Sequence, residues 1–119
     1  MVEFTYRDDY GYFVAEVDGV LLCCDEVQEG YDRKALEFAA AYKQKLPDIA
    51  AFMLDEVCLM YGEMSVQELI DALGTPLISI HGTDGDVISY LEHTLDDYHI
   101  IDVEFSGLFE QFDYISFNG

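Results

Sequence analysis

The sequence predicts an α+β domain: a mostly antiparallel sheet in strands–helices–strands order, with a helical layer of two to three helices on one face. Three observations carry this. Apolar residues alternate with period two at both ends of the chain, they recur at helical spacing in the middle, and capping or turn residues separate the blocks. The 119 residues make one domain, 1–119, long enough to bury an ordinary core. No linker, repeat or low-complexity segment interrupts it.

The first elements are strands. "VEFTY" is a short strand turning through Asp8 and Asp9. "YGYFVAEVDGVLLCCDEV" reads as a hairpin, because Phe13, Ala15 and Val17 alternate with Val14 and Glu16 and Asp18-Gly19 suits a two-residue turn. The period then changes. From Asp32, expected as an N-cap, Ala35, Phe38, Ala39, Tyr42 and Leu46 share a helical stripe. Pro47 is expected to end or kink that helix, and Pro47-Asp48 suits the start of a second one. Ile49, Phe52, Met53, Val57 and Met60 form its stripe, and Gly62 stops it. A third, short helix begins at a capping box, Ser65 with Glu68, and ends at Gly74. After Pro76 strands return: "LISIHGTDGDVISYLEH" is a hairpin turning at Thr83 to Gly85, and "HIIDVEF" pairs with "DYISFN".

Hydrophobic residues make up 51% of the chain, which argues against disorder despite the charge. No stretch approaches the roughly 20 apolar residues of a membrane helix. "MVEFTYRDDY" has acids where a secretory signal needs a basic end and an apolar run. Three cysteines, with Cys23 and Cys24 adjacent, make a poor disulfide framework, so a reduced cytoplasmic setting is expected and Cys58 reads as a buried small hydrophobe.

Net charge is −20, from 25 acids and 5 bases. Arg7, Arg33, Lys34, Lys43 and Lys45 all precede residue 46; residues 46–119 hold 15 acids and no lysine or arginine. The helix bases read as local helix electrostatics, with Lys43 and Lys45 at the end that favours cations and Arg33 and Lys34 near Glu29 and Glu37. Direct binding to nucleic acid or an anionic membrane is disfavoured, since phosphate contacts need cations. A basic protein would be attracted and steered. The competing explanation is that acidity only confers solubility.

Signals for chemistry are weak. His81, His93 and His99 lack HxH or HExxH spacing, and no cofactor is expected. "TDGD" at 83–86 holds only a fragment of a calcium loop and is explained by a turn. Ser65 serves as a cap, the other serines lack a nucleophile elbow, and Cys23 and Cys24 lie in an apolar strand. No acid sits in an apolar context that would single out a raised pKa. The acidic faces remain. Asp102 and Glu104 alternate with core-facing Ile101, Val103 and Phe105; Tyr114 would join their face if the last two strands pair. Asp96, Asp97 and Tyr98 enter from the preceding loop, Glu110 and Asp113 from the connecting one. Acids interleaved with tyrosines suit an arginine-bearing partner, whereas like charges opposed across strands would be costly to keep for solubility alone.

The helical stretch "YDRKALEFAAAYKQKLPDIAAFMLDEV" followed by strand pairs, and the closing "HIIDVEF…DYISFNG", resemble small acidic bacterial domains of unknown function, including immunity-protein-like domains of polymorphic toxin systems. The resemblance spans roughly residues 10–119, rests on patterns rather than catalytic signatures, and supplies no active-site residues. It implies an intracellular inhibitor-like binder guarding against a basic toxin such as a nuclease. The expectation is thus a non-catalytic acidic protein-binding domain whose partner surface comprises Asp96, Asp97, Tyr98, Asp102, Glu104, Glu110, Asp113 and Tyr114. The alternatives are an enzyme or metal-dependent accessory domain, and a housekeeping domain whose acidity only solubilises it. An exposed edge strand would also support a homodimer.

Overall fold

A computed structural model describes residues 2–80 and 86–119. The chain opens with three antiparallel strands, β1 (Thr5–Arg7), β2 (Tyr12–Val17) and β3 (Val20–Cys24). Between β2 and β3, Asp18 (φ 50°) and Gly19 (φ 83°) both take positive φ, as a two-residue hairpin turn with the strands' own twist requires. The expected hairpin therefore forms. β1 is shorter than the sequence suggests and exposed throughout.

The long helix α1 (Tyr31–Tyr61) corrects the expected break at residue 47. Pro47 lies inside it, although proline removes one backbone donor and crowds the preceding turn, at a cost of about 3 kcal/mol. Burial on both sides of the proline outweighs that cost. Ala35, Phe38, Ala39 and Tyr42 before it, and Ile49, Ala50, Met53 and Val57 after it, all enter one core; each large side chain contributes about 1.5–3 kcal/mol. The N-cap is Gly30 rather than Asp32, which sits in the first turn, where a carboxylate suits the helix dipole. Met60, expected on the apolar stripe, is exposed. Cys58, expected to be buried, is half-buried, with its thiol 3.8 Å from the Met64 carbonyl. The helical layer thus holds two helices.

Helix α2 (Val66–Leu73) starts as expected. Ser65 Oγ accepts from the Glu68 N–H at 3.1 Å, and Glu68 Oε1 accepts from the Ser65 N–H at 3.0 Å. Gly74 follows with φ 72°; a Cβ there would lie 2.9 Å from the Glu92 carbonyl oxygen, so the close approach of that loop demands glycine.

Four more strands complete the sheet: β4 (Pro76–Ser79), β5 (Asp86–Tyr90), β6 (Ile100–Ser106) and β7 (Gln111–Asn118). The expected turn at Thr83 to Gly85 lies outside the described residues, as does His81. The seven strands stand in sequence order, β1 to β7. All neighbours are antiparallel except β3 and β4, which are parallel because the helices make the crossover between them.

One sheet face, with Val20, Leu22, Ile78, Ile88, Tyr90, Ile101, Val103 and Phe105, packs with the helices into a single core. Phe109, from the β6–β7 turn, inserts there: it stacks on Phe105 at 4.3 Å and meets Phe38 and Tyr42 edge-on. The buried hydroxyls of Tyr42 and Tyr90 satisfy each other at 2.9 Å. The other face divides in two. Toward β3, Val14, Cys23 and Leu77 form a small apolar cluster with Tyr10 and Leu21. Toward β7 it turns acidic.

Candidate functional site

The acidic part is built by the β6–β7 ladder. Ile101, Val103 and Phe105 are buried, so strand alternation sends Asp102 and Glu104 to the opposite face. Register then decides their neighbours. Glu104 stands between Val87 of β5 and Tyr114 of β7, and Asp102 between Ser89 and Ser116. Contrary to the expectation of like charges opposed across strands, no acid directly faces Asp102 or Glu104 on a neighbouring strand.

The two carboxylates differ in what they do. Asp102 accepts from Ser89 Oγ at 2.5 Å and from Asn118 Nδ2 at 2.7 Å, tying β5, β6 and β7 together. Asn118 also donates to Ser116 Oγ at 3.1 Å. Glu104 is exposed, and among the described residues no side chain pairs with it. Tyr114 opposite is 58% exposed. Charge and aromatic surface are therefore free at this cross-strand pair, while Asp102 acts chiefly within the sheet.

A bulge reshapes the next step of the ladder. Glu104 pairs with Tyr114 but Phe105 pairs with Phe112, so Asp113 is the extra residue on β7. Gln111 Nε2 donates to Asp113 Oδ1 at 2.7 Å, and Glu110, in the turn, receives the Leu108 N–H at 3.4 Å. Asp113 and Tyr114 border a groove of about 620 Å³ whose other wall is α1, with Ala51, Phe52, Asp55 and Glu56; Ile115 contributes from β7. Phe52 stacks on Phe112 at 5.3 Å and fixes the helix against the strand. Asp55 and Glu56 are the site residues that sequence reasoning missed. Their place one turn after Phe52 was legible, but not the strand they would face.

The remaining candidates stand at the other end of the ladder, where Ile100 pairs with Asn118. Asp97 and Tyr98 are exposed, Tyr98 by 81%. Asp96 instead turns inward. Its carboxylate accepts from Tyr61 Oη at 2.6 Å, the Tyr98 and His99 N–H groups at 3.0 Å each, and His99 Nδ1 at 2.7 Å. Led by the Tyr61 hydrogen bond, these donors hold its pKa well below the usual carboxylate range against an opposing desolvation effect. Burial, reinforced by Asp96, pushes the Tyr61 hydroxyl up to about 12. Asp96 thus clamps the end of α1 to the loop before β6. The eight sequence candidates do not form one patch: Glu104, Glu110, Asp113 and Tyr114 gather at the hairpin end, Asp102 bonds within the sheet, and Asp97 and Tyr98 stand apart with Asp96.

The histidine and cysteine side chains of the described residues are engaged in structure. His93 is buried, its Nε2 2.6 Å from the His99 carbonyl while its Nδ1 accepts from the Leu95 N–H at 3.1 Å, which makes Nε2 the protonated nitrogen. Among the described residues no group of three or more His, Cys, Asp or Glu could hold a metal ion. Burial raises the Cys23 thiol, which lies 3.3 Å from Ser79 Oγ, and pushes Cys24 up to about 11, leaving both protonated near neutral pH. Among the described residues no helix is long and apolar enough to cross a membrane. No protein-family model matches the chain, and neither does any curated protein or solved structure.

Proposed function

We propose that the chain is a non-catalytic acidic protein-binding domain, most concretely an immunity-type inhibitor that docks on a basic protein such as a nuclease toxin and masks its cationic site. The observation that carries this is the exposed Glu104–Tyr114 cross-strand pair, whose Tyr114 also borders, with Asp113, the edge groove lined by Asp55 and Glu56 of α1, in a part of the chain with no lysine or arginine. Tyrosine offers rigid contact area with a polar tip, and unpaired carboxylates meet arginine in two-pronged hydrogen bonds. The surrounding negative field would speed the encounter with a cationic partner. The resemblance to immunity-protein-like domains points the same way and to action in the cytoplasm.

Capture from the source organism's lysate tests the proposal, with wild-type bait beside a Glu104→Lys, Asp113→Lys variant. That variant spares the Asp102 hydrogen bonds. The expected result is one basic protein held by wild type, released at high salt, absent from the variant, and inhibited by the wild-type chain. A diffuse mixture common to both baits would leave the acidity as a means of solubility. The register favours that second reading in one respect, because it keeps Asp102 and Glu104 from facing other acids across strands.

A further inference from the structure

We infer that the basic partner is engaged through the free edge of β7, by addition of an extended cationic segment as an eighth strand. This rests on the reading of the domain as an acidic protein binder and names its mode of binding.

The two edges of the sheet are unequal. β1 is three residues long, whereas β7 runs for eight and pairs only with β6. Proteins commonly protect such edges with lysine, proline or a bulge. β7 contains neither lysine nor proline, and its bulge at Asp113 leaves Tyr114–Asn118 in regular register with β6. An added strand would find its backbone partners along this run. Its alternate side chains would then separate onto two different surfaces. Those on the outer face would pass over Tyr114 toward Glu104, a setting for arginine through both ring and carboxylate. Those on the inner side would enter the groove between β7 and α1, where Phe52 and Ile115 offer apolar surface beneath Asp55 and Glu56.

Charge selects this occupant over a second copy of the chain. Pairing β7 with its own copy would bring two Asp113 carboxylates and two Glu104 carboxylates into one sheet, on molecules each carrying −20. A segment alternating arginine with apolar residues removes that repulsion and fits both surfaces.

Fluorescence anisotropy with labelled peptides tests the inference on the intact chain. The probe is acetyl-Arg-Val-Arg-Val-Arg-Val-Arg-amide, and the control has the same composition in blocks, four arginines followed by three valines. The alternating peptide is expected to bind at least tenfold more tightly. Two further versions carry backbone N-methyl groups either on every arginine or on every valine. In an added strand only one of these sets of N–H groups faces β7, so one version should lose at least tenfold and the other should keep its affinity. Equal effects of the two methylation patterns, or equal binding of alternating and block peptides, would overturn strand addition. If that equal binding is still lost in the Glu104→Lys, Asp113→Lys variant, the acidic-binder reading stands without it. If no peptide binds, strand addition also falls, and lysate capture decides the broader reading on its own.

Discussion

The two ends of the sheet use charge in opposite ways. At the β1–β3 end, acids and bases meet: Arg7 Nη2 lies 2.7 Å from Asp9 and its guanidinium sits over Tyr10, Lys43 Nζ of α1 is 4.0 Å from Asp18 in the β2–β3 turn, and Lys34 lies over the Tyr31 ring. These exposed pairs contribute little to stability, but they leave that end electrically mixed. The β6 and β7 strands and their turn carry no lysine or arginine, and among the described residues their carboxylates find donors other than these or none. Asp96 and Asp102 are saturated by tyrosine, histidine, serine, asparagine and backbone groups, whereas Glu104 is left open beside Tyr114. One residue class thus performs two tasks within a single ladder, and local hydrogen bonding separates them where composition cannot.

The strongest way to break this contrast is to detach the hairpin that displays the open carboxylate. Phe109 pins the β6–β7 turn into the core, so Phe109→Ala should cost about 3–5 kcal/mol in denaturant unfolding. Asp96→Asn should come next. It removes the charge and replaces the oxygen shared by Tyr61 Oη and His99 Nδ1 with an amide donor, while the remaining oxygen can still accept the Tyr98 and His99 N–H groups, and it should lower the thermal midpoint more than any exposed acid-to-amide change at the hairpin. The pH dependence follows the same contact. Because the folded-state pKa of Asp96 is depressed, its contribution is complete above the ordinary carboxylate value of about 3.9 and is lost as pH falls below it. Asp96→Asn should therefore flatten the acid limb of the stability profile.

Smaller changes sharpen the comparison. Tyr61→Phe keeps the ring against Phe117 and deletes one hydrogen bond, for an expected loss of about 1 kcal/mol by thermal or urea unfolding. Glu104→Gln should move stability by no more than about 0.5 kcal/mol in either direction, since among the described residues no side chain pairs with that carboxylate. A loss comparable to that of Phe109→Ala would show that Glu104 holds the sheet and would erase the distinction drawn between it and Asp96.

What was legible in the sequence was local. The Asp18-Gly19 turn, the Ser65–Glu68 capping box and the alternation from Ile101 to Phe105 depend on residues within a few positions of one another, and each forms as read. Pro47 was misleading because local geometry argues for a break, while the apolar stripes on both sides share one core and carry the helix through. Asp96 resembled any loop acid; its principal donor, Tyr61, is 35 residues away. Phe109 sits in a turn at φ 60°, where neither strand nor helix periodicity points to the core. The Asp113 bulge exists only as a shift of one strand against another. The candidate site was therefore legible as the Asp102–Glu104–Tyr114 face, but not in the division of work among its acids or in the groove wall supplied by α1.

The most direct test of the central claim compares charge placement at constant total charge. Three baits would be washed in parallel through a salt series in lysate capture: wild type, Glu104→Lys with Asp113→Lys, and Glu26→Lys with Glu29→Lys, whose exposed positions lie in the connection between β3 and α1. Both variants carry the same altered net charge. The account predicts that one basic protein is retained by wild type and by the Glu26, Glu29 variant, and is lost from the Glu104, Asp113 variant. Equal loss from the two variants, or equal retention by all three baits, would contradict a dedicated partner surface at the β6–β7 end.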